Sequence, residues 1–160
     1  MSPVLWEPNQ SHLYLLLDAT PPQQPDSIYL PTTVELYITH PPTKTTRAIL
    51  FLTDVIGHRF INAQLIADQL AANGYLVVMP DLFHNDPVPL NRPANYDLMA
   101  WLNGPPGHLP PRVDPVVKAV LAEMRENMGC ERIGAVGYCF GVRCYFKFSF
   151  PRVRWSWSWY

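Results

Sequence analysis

The residues best suited to chemistry lie in the pentad Gly137-Tyr138-Cys139-Phe140-Gly141, which follows the aliphatic run RIGAV. A nucleophile between two glycines at x-spacing marks a tight turn from strand to helix, with the reactive side chain at the apex and the glycines letting neighbouring segments pass close. The helix that follows such a turn presents free N–H groups and positive dipole charge, which favour a thiolate. A thiolate at this place is poised as a nucleophile, and a nucleophile needs a base to turn over. His58, four positions after Asp54, offers itself as a replacement base, but the stronger reading is a plain loop or rim residue. His84 stands just beyond a strand end, where ligands gather in open α/β sheets. Together with His58 and Tyr138 it is a candidate to line a pocket. His12, His40 and His108 are expected in solvent, and Cys130 and Cys144 as ordinary core or helix residues. Neither the 5 histidines nor the 3 cysteines fall at metal-ligand spacing, so neither a metal nor a cofactor is expected.

The elements that must carry this pentad follow from apolar periodicity. HLYLLLD (12–18) reads as a short strand, and IYLPTTVELYITH (28–40) as two strands or one broken at Pro31. AILFLT (48–53) and YLVVM (75–79) are continuous apolar runs of strand length, as expected of strands buried on both faces. Between them Ala63, Ile66, Ala67 and Leu70 recur at helical spacing, and Asn73-Gly74 supplies the stop. A short helix is expected over 96–102. A longer one spans the stripe Val113, Val117, Val120, Leu121, Met124 and Met128, with Asp114 as N-cap and Pro115 at the first helical position. The run 133–137 is the third parallel strand. Strand, helix, strand, helix, strand is an α/β pattern.

Composition narrows the functions. The 160 residues carry a net charge of −1 and are 48% apolar. That balance gives no electrostatic hold on nucleic acid or on an anionic membrane. No stretch approaches the roughly 20 apolar residues of a membrane span. The odd cysteine count and the lack of a secretory leader at MSPVLWEPNQ point to the reducing cytoplasm.

The segments TDVIGHRFINAQLIADQLAANGYLVVMPDLFHNDPVP, AWLNGPPGHLPPRVDPVV and ERIGAVGYCFG resemble the dienelactone hydrolase family, in its fungal branch, within the α/β-hydrolases. The likeness runs from about Val34 to Arg143. It implies an incomplete α/β-hydrolase fold, a mostly parallel sheet with flanking helices. It implies hydrolysis of ester or lactone bonds through Cys139. It also implies that Asp54 touches the resting thiol, where bacterial members use Glu, and that the N–H groups of Val55 and Phe140 form the oxyanion hole. The arginine that holds a substrate carboxylate in bacterial members has no counterpart after Asp81-Leu82, where His84-Asn85-Asp86 stands. Residues 1–143 are read as the N-terminal portion of the domain. Residues 144–160 are read as an atypical tail, since 142–160 hold no Asp, Glu or His and three of the 5 tryptophans fall in the last six residues. The family's triad Asp and His lie later than the elbow, so the chain as given is expected to be inactive or very slow. A binding module for small molecules and a gene-model fragment are the alternatives. The expected partner is a small-molecule ester or lactone, with self-association through an exposed sheet edge.

Overall fold

The computed structural model describes the backbone of residues 13–18 and 33–149 and the side chains of 34–144. Residues 1–12, with His12, residues 19–32 and residues 150–160 of the Trp/Ser-rich tail lie outside the described residues.

Among the described residues, five strands form one mixed sheet in the order β1-β2-β4-β3-β5. They are β1 (Leu13–Asp18), β2 (Thr33–Thr39), β3 (Arg47–Leu52), β4 (Leu76–Pro80) and β5 (Arg132–Gly137). The run β4-β3-β5 is parallel, as the three apolar stretches require. The strands β1 and β2 add to its other side in antiparallel fashion. β4 is buried at every position, which accounts for its unbroken apolar sequence. β5 is half-buried and pairs only with β3 among the described residues.

Helices cover both faces. On one side α1 (Ile61–Ala72) lays Ala63, Ala67 and Ala71 against Tyr37, Phe51, Val77 and Met79. Of the expected stripe, Ala63 and Ala67 are buried and Leu70 packs partly against this core, while Ile66 is exposed. Alanines four apart bring the helix axis close to the sheet and leave Ile61, Leu65 and Ile66 exposed. On the other side α3 (Pro110–Glu126) and α4 (Phe140–Ser149) enclose the larger core, built from Val34, Leu36, Leu50, Val78, Val117, Val120 and their neighbours. The short α2 (Leu98–Asn103) is capped by the Asp97 carboxylate, which accepts the Ala100 N–H at 2.8 Å.

The start of α3 differs from the sequence reading. The helix begins a turn earlier, with Pro110 and Pro111 in its first two positions, so Asp114 is not its N-cap and Pro115 lies inside it. Two prolines at a helix start have φ already set and lack only N–H groups that have no helical partner, so they outcompete the Asp-Pro signal downstream. α4 runs across the 143/144 boundary drawn from sequence.

Candidate functional site

Two adjacent parallel strands deliver the site. β3 and β5 run in register, with Phe51 opposite Val136 and Leu52 opposite Gly137. Residues 53–55 and 138–140 therefore leave the sheet side by side at the same end. The Tyr138 N–H donates to the Leu52 carbonyl at 3.0 Å, which extends the pairing to the brink of the bend.

Cys139 occupies the bend itself with φ 47°, in the left-handed region. For a residue with a Cβ this conformation is uncommon and strained. The glycines on either side are there for room. A Cβ on Gly141 would stand 2.1 Å from the Leu52 carbonyl oxygen, and one on Gly137 would stand 2.7 Å from the Gly141 oxygen. The elbow expected from the pentad is thus formed, and the thiol at its apex is exposed. Its neighbours point to opposite faces of the sheet. Tyr138 stacks on Phe51 at 5.3 Å, while Phe140 packs edge-on to Phe83 at 5.1 Å and against Trp101 at 6.4 Å.

A shallow open cleft of about 90 Å³ lies beside the elbow, lined by Phe51, Thr53, Asp54, Phe60, Ile66 and Tyr138 among others. Of the sequence candidates, Asp54 and Tyr138 line it. Asp54 is fixed by accepting the Ile56 N–H at 2.9 Å. Among the described residues the Val55 and Phe140 N–H groups donate to no backbone acceptor, whereas the Val55 carbonyl accepts from Val88 at 2.8 Å. The buried Thr53 hydroxyl, which also faces this cleft, has no partner. Sequence reasoning passed over it, although it adjoins Asp54.

The histidines lie elsewhere. His58 is buried rather than on a rim, with Nε2 3.2 Å from Glu35 Oε1 and Nδ1 3.6 Å from Asp81 Oδ1. His84 takes φ 54° in the turn after β4, which the Asp81 carboxylate ties down by accepting the Phe83 and Asn85 N–H groups. Burial pushes its pKa below the ordinary value, the nearby Arg112 adds to this, and Asp81 offsets part of it. His108, expected in solvent, is fully buried. It stacks on Trp101 at 4.2 Å, meets Phe83 edge-on and holds Asp86 Oδ2 at 3.0 Å from Nε2. A polar ring needs that packing and that carboxylate to offset its desolvation, and no local signal announces partners so far along the chain. Burial lowers its pKa and the Asp86 hydrogen bond works against the shift. His40 is half-buried, with its pKa lowered by burial. Cys130 and Cys144 are buried, as expected. Among the described residues, no group of side chains has the makings of a metal site, and no helix is long and apolar enough to cross a membrane.

The sequence profile of the dienelactone hydrolase family matches residues 34–160. The chain is 52% identical over 119 residues to hydrolase pyvD of Aspergillus violaceofuscus, an overlap of 74% of this chain and 47% of that protein. It is 52% identical over 124 residues to hydrolase tropI of Talaromyces stipitatus, covering 74% and 49%. It is 29% identical over 109 residues to a carboxymethylenebutenolidase homolog of Mus musculus, covering 68% and 43%. The chain spans about half the length of the fungal relatives. With a strained cysteine at a glycine-flanked strand end and a family match over most of its length, the chain belongs to the dienelactone hydrolase family.

Proposed function

We propose that Cys139 is the nucleophile of an ester- or lactone-cleaving site, with the N–H groups of Val55 and Phe140 as oxyanion donors and Asp54 against the resting thiol. The observation that carries this reading is the left-handed backbone of Cys139 between glycines that tolerate no side chain. Strain of this kind persists only where the surroundings over-determine it, and it gathers at working sites.

In the step proposed, the Sγ–acyl carbon bond forms as the carbonyl π bond opens to a tetrahedral oxyanion, and the carbonyl re-forms as the bond to the alkoxy oxygen breaks. The leaving oxygen departs as an alkoxide or aryl oxide, and the thiol proton goes to solvent. The transient oxyanion sits between the two N–H groups, which leave adjacent strand ends together. A donor of this type contributes about 10²–10³ in rate. Among the described residues no histidine hydrogen-bonds Cys139, and both ring nitrogens of His58 face carboxylates. Deacylation is therefore slow, and acylation outruns it.

Stopped-flow mixing with an activated aryl ester tests the reading. The expected result is a burst of one aryl oxide per chain, absent in Cys139→Ala, followed by a far slower steady state. Rapid multiple turnover, or a burst that survives Cys139→Ala, overturns it.

A further inference from the structure

A charge cluster stands behind the loop that joins β3 to α1, with His58 and Asp81 buried and Arg59 exposed. Glu35 of β2 receives a two-pronged ion pair from Arg59, through Nε to Oε1 at 3.1 Å and through Nη2 to Oε2. These hydrogen bonds hold the Glu35 carboxyl below its ordinary range, and burial opposes them. His58 fills the space between Glu35 and Asp81, and its side chain is 5% exposed against 12% and 3% for the two carboxylates. At 3.2 Å its Nε2 is near Glu35 but out of line for a hydrogen bond.

What this cluster holds is the loop 53–60. Inside the loop Asp54 accepts the Ile56 and Gly57 N–H groups, and the Gly57 carbonyl accepts from Phe60. It therefore moves as one piece. Its outer ties are Val88 N–H to the Val55 carbonyl, Gln64 to the His58 carbonyl, and the His58 and Arg59 side chains to β2 and the end of β4. A loop that merely connects two elements stays on the surface and buries no ring between carboxylates.

We infer that His58 is a positioning residue: seated between Glu35 and Asp81, it fixes the 53–60 loop and with it the Val55 N–H beside the Cys139 bend. The inference rests on the acyl-transfer reading above. A misplacement of about 1 Å costs up to about 10²-fold in rate.

Two reactions of the same thiol test it in the full chain, with His58→Gln and the more conservative Glu35→Gln. Alkylation by iodoacetamide displaces iodide at a saturated carbon and develops no oxyanion, whereas acylation by an activated aryl ester does. Acylation is expected to fall about 10–100-fold in both variants, with alkylation at the wild-type rate. Hydrogen exchange at the Ile56 and Gly57 amides is expected to quicken while β3–β5 stay protected. Unchanged acylation, or an equal fall in both reactions, overturns the positioning role. If the wild type gives no ester burst, the acyl-transfer reading fails by itself. Exchange then decides the tether alone: quickening supports it and unchanged protection overturns it.

Discussion

Replacing Gly141 by alanine puts a methyl group where the structure has backbone. The added Cβ would lie 2.1 Å from the Leu52 carbonyl oxygen, 2.5 Å from its carbon and 2.8 Å from the Thr53 oxygen. To reach even 3.0 Å from the first of these, the opening turn of α4 must retreat from β3 by about 1 Å. No flexible side chain can yield instead, so the cost falls at the top of the usual overpacking range, about 3 kcal/mol. The same retreat carries the Phe140 N–H away from Val55 and slows acylation about 10²-fold. Gly137→Ala meets the Gly141 oxygen at 2.7 Å and needs less movement, about 1–2 kcal/mol. Gly134→Ala meets nothing nearer than the Ala48 oxygen at 3.9 Å and stays within about 0.5 kcal/mol of wild type. In the opposite direction, Cys139→Gly removes the left-handed strain and gains about 1 kcal/mol while losing the nucleophile. Urea midpoints at constant m-value, read beside the ester burst, rank the four variants. Equal midpoints and equal bursts for Gly141→Ala and Gly134→Ala would refute the reasoning, because crowding at the bend could not then be what the glycines relieve.

Burial lowers the pKa values of His40, His84 and His108 from 6.5, so below that pH the unfolded chain binds protons that the fold refuses. Stability is expected to drop as pH falls from about 7.5 to 5.5, and a urea midpoint that stays flat over this range contradicts it. Glu35, depressed below 4.5 by Arg59, adds a contribution present above 4.5 and lost as pH falls through its folded value; Arg59→Gln is expected to remove that acid-side loss. The half-exposed β5, unpaired on its outer side among the described residues, is expected to drive concentration-dependent self-association. Sedimentation velocity showing a single monomer at all loadings argues against this.

What was legible in the sequence is what depends on neighbours along the chain. AILFLT, YLVVM and RIGAVG became adjacent parallel strands because strands buried on both faces must be apolar throughout. The pentad could be read because a tight bend demands glycine at fixed offsets. Polar burial was not legible. His58 and His108 are interior because of Glu35, Asp81 and Asp86, none of which is close to them in sequence. Ile66 and Asp114 misled for a different reason. Helical periodicity shows that a face exists, but the closest approach went to alanines, and two prolines upstream claimed the helix start.

Three consecutive residues pass through the sheet like a rivet, Tyr138 clenched on one side, Phe140 on the other and the sulfur at the head between them. The bend is thus one of the places where the two cores meet. Whatever seizes the sulfur also loads both halves, and its occupancy should be audible in the motions of Phe51 and Phe83 alike.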